Sequence, residues 1–268
     1  MRSVPAGSML PPVGMLSRLG LLGGILLLGC GSAQGGARSG GDRVCEPLPD
    51  PPSREALLEQ VADLAPVLRH VAGRWAELDG APPLELVVVA EINPCVGGAE
   101  DPDDPAQCSR LIARVLRPGP DGALELVDEP PEDEDWYPSL IHGRLDSLAV
   151  EPLFGPCHHA LLVSLERLER GLETQGVQVL VWQADRLVGP LFCPTRTRAV
   201  SGPAYEAQGL VSVRGDVSPR HLEARLRVER SRRPEGLGEG AWQGSYRWLE
   251  GRWALEGDPV CGEPAATP

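Results

Sequence analysis

The chain has 268 residues, of which 38 are acidic and 25 are basic, and its net charge at pH 7 is −13. This balance excludes nucleic-acid binding through clustered cations, and it disfavours electrostatic docking on anionic lipid headgroups. With 42% hydrophobic residues, the composition is typical of a folded domain and unlike that of a disordered tail or a protein with several membrane spans.

An apolar segment at residues 19–28 follows Arg18 and contains no acidic side chain. Ten residues rise about 15 Å as a helix, half of the roughly 30 Å hydrocarbon core, so the segment is too short to span a membrane. A basic residue, a short apolar run and small residues at its end are the pattern of a secretory signal peptide.

The apolar segment ends in the letters L-L-G-C at residues 27–30. Together, residues 15–30 resemble the signal peptide and lipobox of bacterial lipoproteins. The resemblance implies cleavage before Cys30, diacylation of its sulfur and acylation of its new amino group. It also implies the outer membrane, because Gly31 stands where an aspartate would retain the protein in the inner membrane. The alternative is a plain secreted protein in which Cys30 is incidental.

The chain is expected to divide into four segments. Residues 1–29 form the signal peptide, and residues 30–52 form a lipidated tether rich in glycine, serine and proline. Residues 53–262 are expected to fold as a single domain, and residues 263–268 are expected to form a disordered tail.

Six cysteines follow Cys30, and an even number in an exported chain predicts three disulfides, with 15 possible pairings. These six are Cys45, Cys95, Cys108, Cys157, Cys193 and Cys261. Spacing favours a bond between Cys95 and Cys108 across a short loop. A bond between Cys157 and Cys193 is expected because the letters P-L-F occur near both. Cys45 and Cys261 would then join the two ends of the domain.

Apolar spacing predicts about three helices. Apolar residues from Leu57 to Leu78 recur every three or four positions, with Ser53 as the N-cap and Pro66 as a kink or break. A short helix is expected over residues 140–148. Leucines at positions 161, 165, 168 and 172 predict another helix over residues 158–172.

The other apolar runs alternate or are rich in β-branched residues, which predicts strands. The expected strands are residues 84–89, 111–116, 123–127, 177–182, 186–191, 210–213, 222–228, 246–249 and 252–255. Several of these are joined by short turns as hairpins. The expected fold class is therefore α+β, an antiparallel sheet with about three packed helices, stapled by disulfides.

The densest group of metal-binding side chains is Cys157, His158 and His159. Adjacent side chains on one helix or strand diverge, and an oxidised cysteine cannot bind metal. The two histidines are therefore weak metal candidates, and we expect no cofactor. No catalytic residue is assigned, because the chain contains no recognisable nucleophile, phosphate-binding or zinc-protease motif.

Charge is unevenly distributed along the sequence. Acidic runs at residues 100–104 and 128–135 are interpreted as solvated loops, and arginines cluster at residues 220–233. Such asymmetry would favour docking on a partner of complementary charge. The default interpretation of the arginines is a solvated face, because alternation along a strand by itself exposes charges.

These features favour a non-catalytic, lipid-anchored protein of the cell envelope, attached to the membrane by its anchor and binding or assembling with another envelope component. One alternative is an extracytoplasmic hydrolase or metal-dependent enzyme that uses His158 or His159. A second alternative is a carrier of a small apolar ligand, with a pocket lined by the C-terminal tryptophans. An enzyme requires a pocket that holds one of the two histidines beside a carboxylate or hydroxyl, and a carrier requires a large apolar cavity.

Overall fold

A computed structural model describes residues 45, 47–93, 109–128, 140–155, 157–169, 171–183, 185–215, 220–232, 237–249 and 251–262. The expected signal peptide and Cys30 lie outside these residues, as do Cys95, Cys108, the acidic run 100–104 and most of the second acidic run. The chain divides into two compact units, and every described residue belongs to the second, Val44–Pro268. Within the described part, we find no helix of the length and apolar character that crossing a membrane requires.

The described residues form two antiparallel sheets preceded by one short helix. Helix α1 spans Arg54–Glu59, and a single 3₁₀ turn follows at Ala62–Leu64. The small sheet has the order β1-β2-β3-β4, with β5 also pairing with β3. Its strands are β1 (Leu68–Ala76), β2 (Glu85–Ile92), β3 (Arg110–Pro118), β4 (Leu124–Asp128) and β5 (Leu140–His142).

The large sheet has eight strands, each of which pairs with the next along the chain. They are β6 (Arg144–Gly155), β7 (His158–Glu169), β8 (Leu172–Gln183), β9 (Arg186–Ala199), β10 (Tyr205–Arg214), β11 (His221–Ser231), β12 (Gly240–Leu249) and β13 (Arg252–Gly257).

Strand β2 is buried along its whole length because both faces of the small sheet are covered. Val87 and Val89 point to the large sheet, where they join a core cluster that includes Leu161. On the opposite face, Val88 packs with Leu57 of α1. The continuous apolar run of β2 is typical of a strand covered on two sides.

The large sheet curls so that its two ends meet. In a flat sheet, β6 and β12 would lie about 29 Å apart, at roughly 4.8 Å per strand. Instead, the rings of Phe154 on β6 and Trp248 on β12 have centroids 6.2 Å apart. Leu153 of β6 also shares a buried cluster with Tyr246 of β12. Strands β10–β12 therefore cover the face of β6–β9 that points away from the small sheet.

Two disulfides are present among the described residues, and their pairing differs from the expected one. Cys45 bonds to Cys157, and Cys193 bonds to Cys261. The shared P-L-F context was misleading. Phe192 belongs to the cluster between the sheets, whereas Phe154 packs against the cluster inside the curl. The prediction of Cys157 with Cys193 and Cys45 with Cys261 is therefore wrong, and the prediction for Cys95 and Cys108 lies outside the described residues.

The α+β class with three helices is wrong, because the described chain is almost entirely strand. The expected helix from Leu57 onward ends at Glu59, and after the 3₁₀ turn the chain continues as β1. Pro66 lies at this break, where its ring and missing N–H disfavour a continuing helix. The apolar stripe is nevertheless real, since Leu57, Leu64, Val71 and Trp75 all belong to one cluster.

The helices expected over residues 140–148 and 158–172 are also wrong. The first region forms β5 and the start of β6, and the second forms β7. Along β7, Leu161, Val163 and Leu165 alternate into the core and are almost fully buried. Every second residue from Leu161 to Leu165 is therefore buried, and this period of two residues outweighs the helical spacing of the leucines.

The predicted hairpins are confirmed. Strands β3 and β4 pair around the turn at residues 119–123, and β8 and β9 pair around Asp185, whose φ is +61°. Strands β12 and β13 pair around Gly251, with a φ of +79°. Along β11, Leu222, Ala224, Leu226 and Val228 are buried, as the alternating pattern predicted.

Candidate functional site

His159 lies at the start of β7, and it connects the large sheet to the small one through hydrogen bonds to the residue that follows β1. Its backbone N–H donates to the carbonyl of Glu77 at 2.9 Å, and its Nδ1 lies 3.2 Å from the backbone nitrogen of Glu77. The side chain is 6% exposed, and burial lowers its pKa. A buried neutral ring that bonds to backbone is a structural group, and it has no open space in which to reach a substrate.

His158 points away from His159, as neighbours on a strand do. Its ring packs edge-on against Phe154 with centroids 4.8 Å apart, and it lies beneath Gly80. Burial lowers the pKa of His158, while the negative charge of Asp79 partly opposes this effect. The two rings therefore do not converge on one point.

A metal centre at this position is not supported. Cys157 is oxidised in its bond to Cys45, so its sulfur is not a thiolate ligand. Within the described ranges, no group of three or more histidine, cysteine, aspartate and glutamate side chains is arranged to hold a metal ion.

Close to the histidines, a buried ion pair holds the loop between β1 and β2. The side chain of Glu85 is fully buried; its Oε2 accepts from the backbone N–H of Leu78 at 3.0 Å, and its Oε1 lies 2.5 Å from Arg117. Arg117 also contacts Asp79 at 3.0 Å. Burial raises the pKa of Glu85, although the bonds from Leu78 and Arg117 oppose that rise. No local sequence pattern indicates this ion pair, because its charges lie in separate elements.

The outer face of β10–β12 carries an open groove of about 480 Å³, which we call the arginine groove. Neighbouring strands place its residues side by side, since Gln208 is opposite Arg227, Leu210 is opposite Arg225, and Arg225 is in turn opposite Gln243. Its lining residues are Gln208, Gly209, Leu210, Arg225, Leu226, Arg227, Ala241, Trp242, Gln243 and Asp258.

The floor of the groove requires close strand packing at Gly209. A Cβ atom at this position would lie 2.4 Å from the carbonyl oxygen of Arg225, so any larger residue would push β10 away from β11. Such a Cβ atom would also lie 2.9 Å from Cδ1 of the buried Leu226, so it would point into the domain, away from the side chains of Gln208 and Leu210.

One wall of the groove is held by Glu223. Its carboxylate accepts from Arg225 at 2.9 Å, from Arg214 at 3.2 Å and from the amide of Gln243 at 2.7 Å. The bond from Arg225 is the largest cause of the lowered pKa of Glu223. These contacts fix the orientation of Arg225 and Gln243 before any partner binds.

The groove combines two arginines, two amides, one aspartate and apolar surface. Arg227 and Gln208 are exposed, and no hydrogen bond or ion pair of either side chain is found among the described residues. Leu210 is 59% exposed, the largest fraction among the exposed large apolar residues of the described chain. Trp242 forms part of the wall, and its indole N–H donates to the carbonyl of Gly238 at 2.9 Å.

In the part of the chain that the structure describes, the three tryptophans near the C-terminus are divided between two places, whereas the carrier hypothesis requires one shared apolar pocket. Trp242 lies in the arginine groove, and Trp248 and Trp253 pack edge to face with centroids 5.2 Å apart. The arginine cluster predicted from sequence contributes Arg225 and Arg227 to the groove. Sequence alternation indicated that both would be exposed, but not that β10 and β12 would complete a groove around them.

Comparison of the chain with protein-family models, with curated proteins and with solved structures found no significant match.

Proposed function

We propose that this protein is a non-catalytic, lipid-anchored component of the bacterial cell envelope that binds an acidic envelope protein through the arginine groove. The observation that carries the binding role is the groove itself. There, two arginines, two glutamines and an exposed leucine are brought together by three neighbouring strands.

The compartment is supported by two independent features. Residues 27–30 have the lipobox pattern, with Cys30 as the expected acylated residue. Two disulfides occur within the described domain, and such bonds persist in oxidising compartments outside the cytosol.

The acidic character of the partner follows from the available donors. A guanidinium carries five N–H donors in a planar fork that matches a carboxylate. Arg227 offers these donors without an ion-pair partner among the described residues, and Gln208 lies directly opposite it. The exposed Leu210 adds an apolar contact, which is typical of the centre of a protein interface rather than its rim.

The enzyme hypothesis is weaker because the environments of the two histidines are structural. His159 bonds to backbone, and His158 is packed between Phe154 and the turn at Gly80. Neither ring lies in the arginine groove.

Photo-crosslinking in the native host tests the proposal. A photoreactive amino acid at Gln208 is expected to give a defined protein adduct, which should be lost when Arg227→Glu is added. The matched control is Arg69→Glu, since Arg69 is also exposed but lies on β1 of the small sheet. A probe at Val200, which is 52% exposed in the turn after β9, controls for random collisions.

The proposal fails if position 208 gives no adduct, or if positions 208 and 200 give the same adducts. It also fails if Arg69→Glu and Arg227→Glu reduce the adduct equally, because general charge would then explain the binding.

A further inference from the structure

Four turns of the large sheet lie at the same end of it. Because each strand pairs antiparallel with the next, alternate turns lie at the same end. The end that we call the anchor end contains the turns at residues 155–158, 183–186, 214–221 and 249–252. A direct contact supports this grouping, since a Cβ atom at Gly251 would lie 2.8 Å from Nε2 of Gln183.

The chain enters the folded domain at this anchor end. Cys45 is bonded to Cys157, which lies in the first of the four turns. Only residues 31–44 therefore separate the expected acylated residue from a fixed point on the domain. The tether expected from the Gly/Ser-rich sequence would have a root-mean-square span of about 20 Å if it behaves as a random coil.

This short span favours one orientation of the domain. Strand β8 has 12 residues and extends about 40 Å, which is roughly twice the span of the tether. A tether of this average span would favour arrangements in which the anchor end lies nearer to the bilayer than the far end of the sheet. This argument rests on the proposed lipid anchor at Cys30.

An exposed leucine and two partly exposed tryptophans lie together at the anchor end. Leu249 is 46% exposed at the tip of the β12–β13 hairpin. Behind it, Trp248 contacts both Trp253 and Phe154, with ring centroids 5.2 and 6.2 Å apart. Tryptophan is enriched at membrane–water interfaces, and here its ring supplies the contact, since the indole nitrogen of Trp253 is buried.

The four turns are close to neutral although the whole chain is acidic, since their sequences hold four arginines, at positions 186, 214, 220 and 252, and three acids, at positions 185, 216 and 250. Arg186, Arg214 and Arg252 are exposed in or beside the turns, and Asp185 is the exposed acidic residue described among them. Arginine side chains beside aromatic residues suit a headgroup region, because their aliphatic stems pack on apolar surface while the charge stays hydrated. The net charge of −13 therefore does not describe this surface.

We infer that the anchor end is a second membrane contact, in which the β12–β13 hairpin places Leu249, Trp248 and Trp253 at the bilayer interface. The acyl chains on Cys30 hold the protein at the membrane, and the hairpin fixes how the domain stands on it. The arginine groove then remains accessible, since Gln208 lies six residues, or about 20 Å, along β10 from Arg214.

The test uses the full mature lipoprotein, isolated from its host and reconstituted into vesicles of phosphatidylethanolamine and phosphatidylglycerol with brominated acyl chains. Flotation of the vesicles measures anchoring, and quenching of tryptophan fluorescence measures contact with the bilayer. The chain has six tryptophans, so quenching of the two at the hairpin should remove up to about a third of the emission.

Matched variants assign the quenching to the hairpin. Trp248→Phe combined with Trp253→Phe should abolish most of the quenching, whereas Trp242→Phe in the arginine groove should preserve it. Leu249→Ser should weaken the quenching, and Val200→Ser, at the opposite end of the sheet, should not.

Two failures are distinguishable. If the wild-type protein floats with the vesicles but is not quenched, or if quenching survives loss of both hairpin tryptophans, the anchor stands and the second contact is refuted. If the wild-type protein does not float, the lipid anchor itself is refuted, and the orientation argument that depends on it falls as well.

Discussion

Replacement of Cys193 and Cys261 by alanine removes the bond that holds the C-terminal segment across the curled sheet. The bond joins residues 68 positions apart, and Cys193 is fully buried. Around it, the backbones of Phe192 and Gly262 exchange hydrogen bonds of 2.8 and 3.0 Å. The N–H of Cys261 also donates to the hydroxyl of Tyr246 at 2.6 Å.

The size of the effect follows from the length of the closed loop. Chain entropy for a loop of this length gives about 4 kcal/mol at 25 °C, and this stabilisation is lost when the bond is removed. Domains are commonly stable by about 5–15 kcal/mol, so the change is a large part of the total. For a chain of this size it corresponds to a fall in Tm of roughly 10 °C.

The assay is equilibrium unfolding in urea, followed by tryptophan fluorescence and by circular dichroism. Val260→Ala is the matched control, because Val260 is buried in the same segment and the bond is kept. The double alanine variant should lose clearly more free energy of unfolding than Val260→Ala. If the two variants lose the same amount, packing rather than loop closure stabilises the segment, and the entropic reasoning is refuted.

Three further predictions concern buried polar groups. Asp128→Ala should lower the free energy of unfolding, measured in urea, by about 1–3 kcal/mol, because the buried N–H of Leu187 loses its acceptor at 2.7 Å. The control Asp121→Ala, in the exposed β3–β4 turn, should change the free energy of unfolding little. Arg117→Ala should lower the free energy of unfolding more than Glu85→Gln, because the first variant leaves the buried carboxylate of Glu85 without its arginine. The reverse order of urea midpoints would contradict a stabilising role of this ion pair. Burial lowers the pKa of the histidines at positions 158 and 159, so the unfolded state binds more protons below pH 6.5. Stability should therefore fall as pH drops through the window between that value and the lower folded pKa, and a flat pH profile of Tm would contradict this.

The C-terminal half of the fold was predictable because its apolar pattern is unambiguous. In β11, buried residues alternate strictly with charged ones over Leu222–Val228, which suits a strand and no helix. Short turns with glycine or aspartate at positive φ, such as Asp185 and Gly251, then identify the hairpins.

The central region was not predictable from spacing, because a separation of four residues fits both a helix and a strand. Leu161 and Leu165 lie on one face of a helix, but they also lie on one face of a strand, with Val163 between them. The curl of the large sheet favours the strand, because it places a buried cluster on each face of β7. This packing joins residues that are far apart in the chain, so a short stretch of sequence does not reveal it.

Only the arginines of the arginine groove were predictable from the sequence. The alternation of β11 exposes Arg225 and Arg227, as expected, but their neighbours Gln208 and Gln243 come from other strands. Disulfide pairing depended on the same long-range packing. Six cysteines indicated a framework, but only the curl shows that Cys193 faces Cys261.

Intact-mass spectrometry of the protein from the membrane fraction of its host, before and after reduction, tests the lipid anchor and the disulfides together. We expect a chain that begins at Cys30, carries three acyl chains, and gains at least four hydrogens on reduction, two for each described disulfide. A chain without acyl groups, or one that begins at another residue, would contradict the lipid anchor. A chain that gains no hydrogens would contradict the disulfide-stapled domain and would return Cys157, His158 and His159 to consideration as metal ligands.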